Sequence, residues 1–377
     1  MSGRVIVVGA GIAGAAVALA LRRRGLDVVV LERSEPGGGE PGPAATGASA
    51  GMLAPQYEAH GRGPVFDLAV ASRRRHPAFL RRIESLAGVD LGLREGGMLV
   101  PSFTPGEEEA AEEAAGWQRD AGLEARILSG DEAAALQPGV TLEARCWTWL
   151  PREAWLDTQR LSGALVPALE AAGAEVRTRT RVAGLDLRGG RVRGVALEDG
   201  TSVEAQRVVL SAGSWTGRLA DLPREVPVRP VRGQVLRYAA EGAPSLRRLV
   251  AGHRGSYLVP RPDGGILAGS TMEEAGFDAE VTEEGTSRIA ENAERLLPAL
   301  PTCRVERSWA GLRPLARDDV PILGPDPDLP DLHYATGYGR NGILLAPEAG
   351  ELVAALVAGD TPPADPAPFS IGRFESG

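Results

Sequence analysis

The sequence predicts an α/β fold, α+β overall: a Rossmann-like nucleotide-binding domain and a second domain built on a large antiparallel sheet. Three observations carry this. Residues 5–32, VIVVGAGIAGAAVALALRRRGLDVVVLE, read as buried strand, glycine turn, amphipathic helix, second strand and terminal acid. Residues 207–216, RVVLSAGSWT, give another buried strand that ends on Ala-Gly. Residues 227–269 alternate, through PVRPVRGQVLRY and then YLVPRPDGGILAG, like antiparallel strands, which belong outside a doubly wound domain.

Gly9, Gly11 and Gly14 form G-x-G-x-x-G between strand and helix, and Glu32 closes the second strand. The glycines allow a tight turn, close approach of a pyrophosphate and close helix–strand packing. The helix N-terminus, at Ile12 and Ala13, then faces the phosphates. An acid at 32, followed by Arg33, suits a ribose hydroxyl pair and argues against the 2′-phosphate of NADP. Residues 36–50 form a small-residue loop running into Gly51-Met52. Its place directly after the acid predicts backbone lining a cofactor, through Ala45, Thr46, Ala50, Gly51 and Met52.

Downstream, residues 65–87 have helical spacing with a basic face, 91–101 read as strand, and 104–121 read as an acidic, solvated helix without a function. A helix over 157–173 is followed by short strands at 175–178, 182–187, 192–197 and 202–205, with Val182 placed near the cofactor. Gly213 lets the chain after the 207 strand pass the cofactor. Residues 281–297 form an amphipathic helix, and 307–314 a strand returning toward the first domain.

Residues 332–350 close the chain as strand, glycine turn and helix. The turn and helix start, Tyr338, Gly339, Arg340, Asn341, Gly342, Ile343 and Leu344, would present backbone N–H groups at a positive helix end. That suits the side of an isoalloxazine that becomes anionic on reduction. Two helix-starting glycine turns far apart in the chain favour a long cofactor, FAD, over NAD.

A length of 377 residues predicts two domains, and 43% hydrophobic content supplies a large core. A net charge of −9 argues against nucleic acid as a partner. All 41 basic residues are arginine, which excludes a lysine Schiff base, a P-loop lysine and a lysine acting on oxygen. Cys146 and Cys303 have neither a C-x-x-C partner nor a histidine cluster, so buried thiols and no metal are expected. No leader is expected before the first strand, and no apolar run free of charge reaches the ~20 residues that span a bilayer. A cytoplasmic chain without membrane contact is expected.

Taken together, GAGIAG with Glu32, ASAGML, GSYLVPRPDGGILAGSTM, SWAGLRP and GYGRNGILLAP resemble, in order and over nearly the whole chain, the glycine oxidases of the D-amino acid oxidase superfamily. The resemblance implies an FAD-binding domain assembled from discontinuous segments, 1–85, 142–220 and 304–377, and a substrate-binding domain from 86–141 and 221–303. It implies noncovalent FAD, a small amino acid and O2 as reactants, and a homo-oligomer. Tyr257 would donate its hydroxyl to the substrate carboxylate, Arg313 would pair with it, and Arg340 would stand at the pocket over the flavin, with Met52 and Met272 as pocket walls. The implied reaction is oxidative deamination by hydride transfer to flavin N5, yielding 2-oxo acid, ammonia and H2O2, and it implies a place in thiamine thiazole synthesis.

One position departs from the family pattern. A histidine is expected two residues before the tyrosine; here that position is Gly255, and the histidine stands at 253. The change widens one pocket wall and makes sarcosine or small D-amino acids plausible alongside glycine. Two other readings remain at this level: a dehydrogenase that passes electrons to an acceptor other than O2, and a non-catalytic FAD-binding subunit. Monomeric sarcosine oxidase fits less well, because that family is expected to use a lysine above the flavin and a cysteine link to it.

Overall fold

The computed structural model describes residues 3–35, 42–252 and 255–375. Residues 36–41 of the predicted loop and His253 lie outside this description.

Short valine-rich runs flanked by helices give buried parallel strands, and here they assemble one sheet in the order Ile322–Pro325, Leu332–Thr336, Arg207–Leu210, Arg4–Val8, Asp27–Leu31 and Glu175–Arg177. All neighbours are parallel except the Ile322–Pro325 edge. One face is covered by helices Ile12–Arg23, Pro64–Ala87, Thr158–Ala171 and Gly342–Ala358. The other face packs on a three-stranded meander, Val182–Arg188, Arg191–Leu197 and Ser202–Glu204.

The second sheet has eight strands in the order Val305–Ala316, Val228–Tyr238, Ile266–Gly269, Tyr257–Pro260, Leu249–Ala251, Met98–Ser102, Cys146–Leu150 and Arg126–Leu128. It is antiparallel apart from the pairing of Leu249–Ala251 with Met98–Ser102. Helix Glu283–Leu296 packs its Ile289, Ala293 and Leu296 on one face.

The structure corrects several expectations. Strand Val305–Ala316 does not join the first sheet; it pairs along Val228–Tyr238 as an edge of the second. Strand Cys146–Leu150 also pairs in the second sheet, within the segment 142–220 expected in the cofactor domain. Both runs are strand-like, and nothing local distinguishes one sheet from the other. The expected strand over 91–101 is shorter, Met98–Ser102, because the preceding glycines interrupt it. Ala45–Ala48 inside the expected loop forms a single helical turn.

Gly339–Ala358 is apolar and long enough to cross a membrane by composition, which the sequence reading missed; it is a core helix, wrapped by Ile12–Arg23 and Pro64–Ala87. Cys146 and Cys303 are buried and free.

Candidate active site

A cavity of about 410 Å³ opens where the parallel strands end. The turns after Arg4–Val8, Asp27–Leu31 and Arg207–Leu210 bring Gly9, Glu32 and Ser211 to its wall. Gly9 has φ +102°, and a Cβ there would sit 2.7 Å from the Ser211 carbonyl oxygen, so only glycine suits this close crossing. A Cβ on Gly14 would strike the Gly9 carbonyl; Gly14 lies behind the cavity and seats helix against turn. Gly11, Ile12 and Ala13 present one helix N-terminus to the cavity; Asn341, Gly342 and Ile343 present a second.

The wall fits a long dinucleotide. The Glu32 carboxylate accepts the Ala10 N–H at 2.8 Å through Oε2, and the Ser34 N–H and hydroxyl through Oε1 at 2.9 and 2.7 Å. One acceptor position on Oε2 is left for a ribose hydroxyl. Beside it, Arg33 lies with its guanidinium carbon 3.4 Å over the Trp215 ring. Thr46 Oγ1 accepts the Ile12 N–H at 3.1 Å and holds the Ala45–Ala48 turn against the helix start. Ser49 Oγ and Tyr338 Oη are buried without a partner among the described residues, and both residues line the cavity. Ala45, Ala50, Gly51, Met52, Val182, Gly213, Tyr338 and Gly339, expected to contact the cofactor, line this cavity. Leu344 does not; it points into the core, and its carbonyl meets His76 Nε2 at 3.0 Å. A helix start exposes only its first turn, and Leu344 faces away from it.

At the other wall the second sheet contributes Tyr257 and Arg313. The Arg313 guanidinium lies over Gly233, where any Cβ would collide with it. It donates to the Thr271 carbonyl at 3.0 Å and to Ser270 Oγ at 2.8 Å. Both partners are neutral, and among the described residues no carboxylate pairs with Arg313. Burial pulls its pKa down, and Tyr257 opposes the shift. The Tyr257 phenol stacks on Gly269 and is held above its ordinary pKa by burial, against the pull of Arg313 and a hydrogen bond with Ser270.

Arg340 lines the same cavity but is already engaged. Glu58 Oε2 accepts from both its Nε, at 3.1 Å, and its Nη2. Burial lowers the Arg340 pKa and Glu58 more than offsets it. Gly255 lines the cavity with φ +79°, and a Cβ there would come within 3.2 Å of Arg340 Nη1. Met272 is a correction: its side chain is 46% exposed and outside the cavity wall, because the adjacent Thr271 carbonyl turns inward to Arg313.

Sequence reasoning missed Tyr57, Glu58, Ser270 and Trp215 at this cavity. The sequence ASAGMLAPQYE offers only proximity to Met52 as a hint for Tyr57 and Glu58. Tyr57 Oη donates to the Gly252 carbonyl at 2.7 Å and ties residues 54–58 to the strand end before Gly255. Beneath that loop, the buried Glu153 accepts the Gln56 N–H at 2.8 Å; burial pushes its pKa up to about 8.

The family model for FAD dependent oxidoreductases, DAO, matches residues 4–356. A glycine oxidase of Pseudomonas aeruginosa is 35% identical over 98% of this chain and 99% of its own length. The crystal structure of glycine oxidase from Geobacillus kaustophilus superposes with a TM-score of 0.92 at 31% identity, covering 99% of both chains. A bifunctional protein ThiO/ThiG of Nostoc is 33% identical over 95% of this chain, which spans 53% of that longer protein.

Proposed function

We propose, for a chain that belongs to the family of FAD-dependent oxidoreductases, that it oxidises glycine and other small amino acids such as sarcosine and small D-amino acids. The observation that carries this is Arg313, which lines the cavity beside Tyr257 and has no carboxylate partner among the described residues. A planar guanidinium in a closed, partly apolar site is a clamp for one carboxylate. In this reading the turns on the six-stranded sheet hold FAD noncovalently, and the eight-stranded sheet supplies the substrate-binding residues.

Arg313 takes the substrate carboxylate, and the Tyr257 hydroxyl donates to the same group. Ser270 and Thr271 fix the plane of the guanidinium, so the clamp sets the orientation of the α-carbon. The Arg313 guanidinium and the Tyr257 phenol pack directly on Gly233 and Gly269, which leaves no room for a side chain at either position. The amine enters neutral, and no side chain at the site has to remove a strongly held proton. FAD, when bound, supplies a two-electron acceptor at which the α C–H hydride is delivered and O2 restores the oxidised form. In balance, glycine, water and O2 give glyoxylate, ammonia and H2O2. Use of the product in thiamine thiazole synthesis is the physiological role in this reading, supported by the name ThiO/ThiG on a relative that this chain half spans.

The test is an anaerobic flavin-bleaching screen with glycine, sarcosine, D-alanine, D-proline and L-alanine, followed by oxygen readmission. Glycine, sarcosine and D-alanine should bleach the flavin, and oxygen should restore it with release of H2O2. Failure of every amine to bleach it would overturn the reading; bleaching without reoxidation by O2 would make the protein a dehydrogenase.

A further inference from the structure

Two of the arginines that line the cavity, Arg313 and Arg340, act on Tyr257, and they differ in charge balance. Arg313 has only the neutral Ser270 hydroxyl and Thr271 carbonyl as partners. Arg340 has a carboxylate of its own: Glu58 Oε2 bridges its Nε and Nη2, with the Glu58 side chain 13% and the Arg340 side chain 32% exposed. Glu58, Arg340, Arg313 and Tyr257 act on one another electrostatically, so they form a single charge cluster. Glu273 also acts on Arg313 but is itself paired with Arg232, so among these four side chains two guanidinium groups face one carboxylate before substrate arrives. The cluster therefore has room for one more anion, and that anion belongs at Arg313.

We propose that Glu58 is a specificity-determining residue, which fills the second anion position of the cavity from within and so restricts the site to substrates with one carboxylate. This rests on the reading of Arg313 as the carboxylate clamp. A substrate carrying a second carboxylate on its nitrogen or α-carbon meets an arginine that is already neutralised and, beside it, the Glu58 carboxylate. Displacing Glu58 would leave a mostly buried carboxylate unpaired, and accepting the ligand without displacing it would crowd two anions onto one cation. Both outcomes disfavour dicarboxylates. The backbone supports this placement. Glu58 N–H donates to the Ala54 carbonyl at 3.0 Å, and the preceding Tyr57 is anchored to Gly252. Gly255, lacking a side chain, leaves the Arg340 guanidinium free to lie against the backbone on the other side. Replacing Glu58 by a neutral residue releases Arg340 and opens a second anion subsite.

The probes are methoxyacetate and diglycolate, ether analogues of an N-methyl and an N-carboxymethyl amino acid. They differ by one carboxylate and have no amine to oxidise, so binding is read apart from turnover. Affinities are taken from perturbation of the bound flavin spectrum in the FAD-loaded protein. Wild type should bind methoxyacetate at least tenfold more tightly than diglycolate, and Arg313→Ala should lose both. In Glu58→Gln the ratio should move at least tenfold toward diglycolate, and the double variant Glu58→Gln, Arg340→Met should cancel that gain. Wild type binding both probes equally overturns the proposal without any variant. So does a Glu58→Gln ratio within twofold of wild type, or a gain that survives loss of Arg340. If methoxyacetate binding survives in Arg313→Ala, it is the clamp reading that falls, and with it the premise used here.

Discussion

Arg313 donates from Nη2 to Ser270 Oγ at 2.8 Å, and Ser270 is also hydrogen-bonded to Tyr257. One hydroxyl thus connects the two side chains expected to grip a carboxylate, while the Ser270 N–H donates to the Gly255 carbonyl at 3.2 Å. The clamp is held by neutral groups only, so its positive charge is left for a ligand.

Arg313→Ala should therefore weaken binding of a small monocarboxylate by on the order of 2–4 kcal/mol, the cost of removing one partner from a desolvated, charge-assisted pair. FAD content should be nearly unchanged, because Arg313 stands on the opposite wall from Gly9 and Glu32. Ser270→Ala should cost less, about 1 kcal/mol, because the guanidinium keeps its bond to Thr271. Substrate KM and flavin occupancy measured side by side decide the matter. An unchanged KM in Arg313→Ala would remove that residue from the site.

Gly9→Ala should purify with little flavin. The added methyl would stand 2.7 Å from the Ser211 carbonyl at φ +102°, and both the clash and the backbone conformation oppose it. In wild type, acid precipitation should leave the yellow colour in the supernatant, as noncovalent FAD requires. A full flavin complement in Gly9→Ala, or colour retained in the pellet of wild type, contradicts these expectations.

Glu153 should make stability fall as pH rises from about 5 to 8. Burial lifts its pKa from 4.5 to about 8, so in that window the folded chain keeps a proton that the unfolded chain has released. The folded state is then favoured at the acid end and loses up to roughly 4 kcal/mol of that advantage by the alkaline end. Glu153→Gln keeps an acceptor for the Gln56 N–H and cannot ionise. Urea unfolding should show the variant close to wild type at pH 5 and more stable than it at pH 8.5. A pH-independent gap between the two would mean that Glu153 is ionised throughout.

Gly255→Ala tests the one departure from the family pattern. A left-handed φ of +79° costs a non-glycine residue about 1–2 kcal/mol, and the new methyl would press on Arg340 Nη1 at 3.2 Å. The same strain would apply to Gly255→His, so the missing histidine is not a simple deletion from this wall. In wild type, kcat/KM for sarcosine or D-alanine should at least equal that for glycine. Gly255→Ala should lower the values for the two bulkier substrates more than that for glycine. If all three fall in proportion, the position shapes only the turn.

The sequence by itself determined the elements whose signals are local. The strand–turn–helix–strand over 5–32 announces itself because its valine runs, three glycines and terminal acid act on neighbours only a few residues away. The same holds for the glycine turn and apolar helix near the C-terminus. Ordered motifs carried Tyr257 and Arg313 to the same place, and both line the cavity. Tertiary structure decided which sheet each strand joined, since Val305–Ala316 carries no local mark of its partner Val228–Tyr238. It also decided side-chain direction: Met272 turned outward because its neighbour Thr271 turned in, and Leu344 fell on the buried side of its helix. Above all it paired Glu58 with Arg340 across 282 residues of chain. Periodicity reports which face of an element is buried, but an ion pair at that separation depends on where two distant loops meet, and only the folded chain fixes that.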